Sequence, residues 1–152
     1  MSVHLRSTSW FLACALAPAA VVLSTTGTAV AHPPGRTVIV QCAGTRRARP
    51  RQIVLACADA NWGVARLRWR SWGARRAVAR GLAYANTCTP NCAAGRFVHY
   101  RVRVVARRLV RTALGRRYTL LRVRAFRRPP AHMPRVATFR LTRFGPTLVS
   151  ER

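Results

Sequence analysis

Arginine alternates with apolar residues in several stretches of this chain, and this period of two is the feature that most restricts its fold. In the first such stretch, Ala65, Leu67 and Trp69 stand between arginines. The arginines at every second position are Arg66, Arg68 and Arg70, then Arg101 and Arg103, then Arg122 and Arg124. Because successive side chains of a strand point to opposite faces of a sheet, each stretch predicts a strand with one apolar and one basic face.

Turn-forming residues separate about six or seven such strand candidates, so the sequence predicts an all-β fold. We expect a small antiparallel sandwich or barrel with two disulfides, preceded by an N-terminal signal helix. The last predicted strand covers residues 136–144. Residues 74–85 offer a helical alternative, because alanine and arginine both favour helix. Gly81 argues against that alternative, since glycine inside a strand indicates a bulge or a close approach of another backbone.

The first 31 residues have the pattern of a signal peptide. His4 and Arg6 precede an apolar stretch at residues 10–23, and Ala29 and Ala31 form the small-x-small pattern that a signal peptidase reads. We therefore expect cleavage after Ala31 and a single secreted domain over residues 32–152. An uncleaved anchor is the alternative, since this segment approaches the length of about 20 residues that spans a bilayer.

Four cysteines follow the signal segment: Cys42, Cys57, Cys88 and Cys92. An even number of cysteines in a small exported domain predicts disulfides, and about three pairings are possible in principle. We favour Cys42 with Cys57 and Cys88 with Cys92, because each pair joins near neighbours across a turn. A zinc site of four thiolates is the alternative, but the spacings fit zinc ribbons poorly and an oxidising compartment disfavours free thiolates. No cofactor is expected.

The charge of the chain points to anionic partners. The 152 residues contain 28 arginines, no lysine and two acids, Asp59 and Glu151, so the net charge is +26. Two carboxylates cannot supply both a paired-acid glycosidase site and a carboxylate metal cage. The planar guanidinium group binds phosphate and carboxylate in bidentate fashion. We therefore expect binding to anionic polymers such as a cell-wall polymer, nucleic acid or anionic lipid, or to an acidic protein.

A small set of residues could form a ligand site. Asp59 and Asn61 lie in a turn, and Trp62 and Trp72 could provide stacking surfaces beside the basic rows at Arg66, Arg68, Arg70, Arg101 and Arg103. Each has a structural alternative. Asp59 and Asn61 are residues that commonly cap the amides of their own turn, and tryptophans are commonly part of a core.

These patterns favour a non-enzymatic binding domain that acts at or outside the cell surface. The chain contains no G-x-S-x-G nucleophile motif and no glycine-rich phosphate loop. Two alternatives stay open. One is a small hydrolase or hydrolase inhibitor that uses Asp59. The other is a membrane-active cationic protein, because cationic β scaffolds with aromatic residues can perturb anionic bilayers.

Three ordered motifs carry a resemblance to a known family. They are C-A-D-x-N at Cys57, Asp59 and Asn61, W-x-x-W-G at Trp69 and Trp72, and C-x-P-x-C-A-x-G at Cys88, Pro90 and Cys92. In this order the chain resembles a family of small exported actinobacterial proteins to which no activity is assigned, over about residues 38–125. The resemblance implies export and disulfides. The large number of arginines is where this chain departs from the family.

Overall fold

The computed structural model describes residues 36–152, and the predicted signal segment and its helix lie outside them. The described residues form nine strands and one short 3₁₀ turn at Cys42–Gly44. The strands are β1 (Thr37–Val40), β2 (Arg46–Arg47), β3 (Ile53–Val54), β4 (Trp62–Ser71), β5 (Arg76–Asn86), β6 (Phe97–Thr112), β7 (Gly115–Ala125), β8 (Val136–Leu141) and β9 (Pro146–Glu151). The all-β prediction is confirmed for this part of the chain, and residues 76–86 form a strand rather than the alternative helix.

The strands belong to one curled sheet that resembles half of a barrel. Its order is β2-β1-β7-β6-β5-β4-β3. Strand β8 pairs with residues 120–124 of β7, beyond the part of β7 that pairs with β1, and β9 pairs with β8. Neighbouring strands are antiparallel except for β1 and β7, which pair in parallel. The sequence predicted a last strand over residues 136–144, whereas the structure has a turn at residues 142–145 and a further strand, β9.

The inner face of the sheet holds the hydrophobic core. Tyr118 and Phe139 are its largest fully buried side chains. Strand β5 supplies only alanine and glycine to this face, and valines of β6 stand opposite three of them, as in the pair of Ala79 and Val104. The buried alanines of β5 are Ala77, Ala79, Ala83 and Ala85. Small side chains at the centre of a strongly curled sheet leave room for the tyrosine and phenylalanine of β7 and β8.

Gly81 is required by a bulge in the neighbouring strand. The pairing of β4 with β5 shifts between Ala65 and Arg68, and Arg66 has a positive φ of 51°. A Cβ atom on Gly81 would lie 2.6 Å from the carbonyl oxygen of Ala65 and 2.9 Å from Leu67 Cδ2. The close backbone approach expected from the sequence is therefore confirmed, because only glycine fits beside this bulge.

Both predicted disulfides are present. Cys42 bonds to Cys57 and Cys88 to Cys92, with sequence separations of 15 and 4 residues. The four sulfur atoms are thus used in disulfides rather than in a thiolate zinc site. Disulfides indicate an oxidising environment.

Candidate functional site: an arginine groove on the outer face

Four arginines lie directly side by side on the outer face of the sheet. Arg68 pairs with Arg80, Arg80 with Arg103, and Arg103 with Arg124, across the four neighbouring strands β4 to β7. All four side chains are exposed. We call them the arginine row. Neighbouring strands are about 4.8 Å apart, so the row spans about 14 Å perpendicular to the strands.

The bulge in β4 is what aligns Arg68 with the row. Strict alternation from residue 64 would place Val64 and Leu67 on opposite faces, yet both are buried. The extra residue at the bulge changes the face on which the following side chains lie. The sequence placed Ala65 on the same face as Leu67 and Trp69. That prediction is wrong, because Ala65 pairs with Leu82, which precedes the buried Ala83 on the other face of β5.

A wide groove of about 1020 Å³ lies beside the arginine row. Six arginines line it: Arg66, Arg68, Arg80, Arg101, Arg127 and Arg128. Leu82, Tyr100 and Phe126 supply its apolar surface. Neither of the two carboxylates of the sequence, Asp59 and Glu151, is among the lining residues. We call this feature the arginine groove.

Phe126 provides an aromatic surface inside the groove. Its side chain is 46% exposed, and the guanidinium carbon of Arg80 lies 5.5 Å from the centre of its ring. The backbone nitrogen of Phe126 donates a hydrogen bond of 3.1 Å to the carbonyl oxygen of Arg101, which fixes the chain as it leaves β7. The groove therefore combines several guanidinium groups with one exposed aromatic ring. Guanidinium groups can bind phosphates, and an exposed ring can stack on planar groups.

The arrangement is electrostatically unfavourable without counterions. Like charges directly opposite each other on neighbouring strands destabilise a sheet. The arginine row places four such charges next to each other on the neighbouring strands β4 to β7. Arg101 adds a fifth charge two residues before Arg103 on β6. An anion that spans several of these side chains would relieve the repulsion at each of them.

Asp59 and Asn61 belong to a structural network instead of the groove. Asp59 Oδ1 accepts the backbone N–H of Asn61 at 3.1 Å, and Oδ2 accepts its side-chain amide at 2.8 Å. These hydrogen bonds, the one from the backbone first, lower the pKa of Asp59. Asn61 Oδ1 in turn accepts from Asn86 Nδ2, which also donates to the carbonyl oxygen of Cys92. The chain of contacts joins the turn before β4 to the Cys88–Cys92 loop.

The tryptophans proposed for stacking pack against the core. Trp62 contacts Phe139 edge-on, with ring centres 5.3 Å apart. Trp72 contacts Trp69 at 4.6 Å and Tyr118 at 5.5 Å, and its indole N–H donates to the carbonyl oxygen of Thr37. Both side chains are half-buried, and neither lines the arginine groove.

The predicted arginines are divided between the arginine row, the arginine groove and positions outside both. Arg103 and Arg124 are in the arginine row, while Arg66 and Arg101 are in the groove only. Arg70 is exposed at a second irregularity of β4, outside the groove. Arg122 is half-buried and lines a smaller depression with Arg107 and the C-terminal residues.

Besides Leu82 and Tyr100, sequence reasoning missed three arginines and the exposed ring of the site: Arg80, Arg127, Arg128 and Phe126. Arg80 stands among the alanines of β5, where the alternation of apolar and basic residues is weak. The other three follow β7 and reach the groove through the turn of the chain after Ala125. For these three residues the only sequence signal was their position just after the alternating arginines Arg122 and Arg124.

Comparisons of the chain with family models, with curated proteins and with solved structures gave no match. Within residues 36–152, no group of three or more histidine, cysteine, aspartate or glutamate side chains is placed to hold a metal ion. The same residues include no helix long and apolar enough to cross a membrane.

Proposed function

We propose that this chain is a secreted, non-enzymatic domain that binds phosphate-bearing anionic polymers along the arginine row and in the adjoining arginine groove. The arginine row is the observation that carries the proposal, because four aligned guanidinium groups match a chain of regularly repeated negative charges. Nucleic acid and phosphate-bearing cell-wall polymers share this chemistry. Export is part of the proposal, and the two disulfides support it.

The geometry favours a polymer over a compact acidic partner. Arginines recur at about 6.7 Å along a strand and at about 4.8 Å between strands. A flexible polyanion can adjust its phosphates to such a lattice, and it releases its own counterions as it binds. The exposed ring of Phe126 adds a stacking surface, which gives nucleic acid a further contact that a wall polymer lacks.

The hydrolase alternative has less support. Both carboxylate oxygens of Asp59 accept hydrogen bonds from Asn61, and the arginine groove contains no carboxylate. The resemblance to exported actinobacterial proteins also stays a proposal. It is supported by the contacts that bring Asn61 of the first motif and Cys92 of the third to the same side chain, Asn86.

Charge-matched variants test the proposal. The double variant Arg80→Gln, Arg103→Gln removes two charges from the centre of the arginine row. The control, Arg46→Gln, Arg47→Gln, removes two exposed charges from β2, at the other end of the sheet order. Binding of a labelled single-stranded oligonucleotide is measured by fluorescence anisotropy at several salt concentrations, with inorganic polyphosphate as competitor.

We expect the row variant to bind about tenfold more weakly than the wild type. Its plot of log affinity against log salt should be shallower by about 1.4, since each phosphate contact on a single strand contributes about 0.7. The control loses the same net charge but no charge of the arginine row, so it should retain affinity within about threefold. Equal losses in both variants would contradict a localised site. Full displacement of the oligonucleotide by polyphosphate would show that the two polymers bind the same site, as the proposal requires.

A further inference from the structure

The hairpin formed by β6 and β7 ends in an exposed apolar tip. Thr112 pairs with Gly115, so Ala113 and Leu114 form a two-residue turn between the longest strand and its neighbour. Leu114 is 72% exposed, the largest exposure among the large hydrophobic residues described, and Val110 is 37% exposed. The pairing with β5 ends at Arg107, so the last five residues of β6 project beyond it.

A second exposed apolar side chain lies at the same end of the sheet. Phe144, 67% exposed, occupies the turn between β8 and β9. Arg117, near the start of β7, donates from Nη1 to the carbonyl oxygen of Leu141, the last residue of β8. This contact holds the end of β8, three residues before Phe144, against the base of the projecting hairpin. Together Val110, Ala113, Leu114 and Phe144 form what we call the apolar tip.

Arginines surround the apolar tip. Arg108 and Arg111 are exposed on the projecting part of β6, and the guanidinium carbon of Arg143 lies 4.7 Å from the centre of the Phe144 ring. Residues 108–117 contain no acid. One carbonyl beside the turn is satisfied within the hairpin, since Thr112 Oγ1 donates to the carbonyl oxygen of Gly115 at 2.9 Å. Internal hydrogen bonding lowers the cost of moving this turn out of water.

We propose that the apolar tip docks on an anionic phospholipid bilayer. Leu114 and Phe144 would enter the boundary between headgroups and acyl chains, while Arg108, Arg111 and Arg143 bind lipid phosphates. A stable protein–protein interface needs about 800 Å² from each partner, more than a few side chains at a narrow tip provide. An anionic bilayer accepts the apolar side chains and the arginines at once. This site is separate from the arginine groove and does not depend on it.

Vesicle sedimentation with the full secreted domain tests the proposal. The probes are vesicles of phosphatidylglycerol with phosphatidylcholine, and vesicles of phosphatidylcholine alone. The variant is Leu114→Ser. The control is Phe97→Ser, which removes a larger side chain, 51% exposed, at the opposite end of β6. Thermal unfolding of each protein shows whether the fold is retained, which we expect because Leu114 is mostly in solvent and Phe97 is half-exposed, with an edge contact to the Tyr84 ring.

We expect Leu114→Ser to weaken binding to the anionic vesicles about tenfold, the equivalent of about 1.4 kcal/mol, and Phe97→Ser to change it less than about twofold. Phosphatidylcholine alone should bind none of the proteins. Anionic vesicles that bind Leu114→Ser as tightly as the wild type would overturn the proposal, as would an equal loss in Phe97→Ser.

The oligonucleotide assay separates this proposal from that of the arginine groove. Leu114→Ser should bind the oligonucleotide as tightly as the wild type does. The row variant, Arg80→Gln with Arg103→Gln, should bind it more weakly. If the row variant binds the oligonucleotide normally while Leu114→Ser loses the vesicles, the groove proposal fails and the tip proposal stands.

Discussion

Asp59 shows how a residue that attracts a catalytic interpretation can serve the fold. It is one of only two acids in the chain, and both of its carboxylate oxygens bind Asn61. Asn61 and Asn86 then connect the turn to the carbonyl oxygen of Cys92, and Asn86 Oδ1 accepts the backbone N–H of Cys88. The side-chain amides of Asn61 and Asn86 therefore hold the turn of the C-A-D-x-N motif against the Cys88–Cys92 loop.

The role of Asp59 predicts a specific dependence of stability on pH. Its pKa is lowered in the folded protein, so its contribution to stability is present above the ordinary value of 3.8 and is lost as the pH falls through the folded pKa. Asp59→Asn should have a lower melting temperature than the wild type near neutral pH. The difference should shrink as the pH falls through the lowered pKa of Asp59, because protonation removes the charge that accepts the two hydrogen bonds.

Differential scanning calorimetry of the two proteins between about pH 5 and about pH 2 measures this effect. Glu151→Gln is the control, since it removes the other carboxylate from an exposed position at the end of β9. A melting temperature of Asp59→Asn that equals the wild type at all pH values would contradict the capping role.

At the scale of elements, the sequence pattern predicts strands well and their irregularities poorly. The alternation of arginine with apolar residues indicated β4, β6 and β7, because burial of one face requires a period of two. The same pattern concealed the bulge at Arg66, since an inserted residue moves every following side chain to the other face. Strand β9 was missed because it is an edge strand whose residues after Pro146 are all exposed.

The turn between β4 and β5 is fixed by a buried tyrosine. Tyr118 Oη accepts the backbone N–H of Gly73 at 3.0 Å and donates to the carbonyl oxygen of Ala74 at 2.9 Å. Its side chain is fully buried, and burial raises its pKa. The hydroxyl thus connects the inner face of β7 to a turn about 45 residues earlier in the chain.

Tyr118→Phe should lower the free energy of unfolding by about 1–3 kcal/mol, because two backbone groups of the turn lose their partner. Tyr84→Phe is a matched control, since the Tyr84 hydroxyl accepts a single exposed hydrogen bond from Gln52 at 3.3 Å. We expect it to cost less than about 0.5 kcal/mol. Urea unfolding gives both values, and equal effects in the two variants would show that the Tyr118 hydroxyl does not hold the turn.

At the scale of the molecule, the register of the strands brings part of the net charge of +26 together on one surface. Arg68, Arg103 and Arg124 could each be placed on a basic face from the sequence, because alternation fixes the face of a residue within its own strand. Their alignment with Arg80 could not be predicted, since it depends on how four strands pair. The groove also needs Phe126 and the arginines after it, whose positions depend on the course of the chain beyond β7.

The most direct test of the arginine groove is to observe individual guanidinium groups as a polyanion binds. The Nε–H resonances of arginine are recorded by NMR during titration with inorganic polyphosphate, and they are assigned with single Arg→Gln variants. We predict saturable shifts at Arg68, Arg80, Arg101 and Arg103, with little change at Arg46 and Arg47 of β2. Shifts of similar size at all exposed arginines would contradict the central claim, because they would mean that the polymer binds to the overall charge and not to a site.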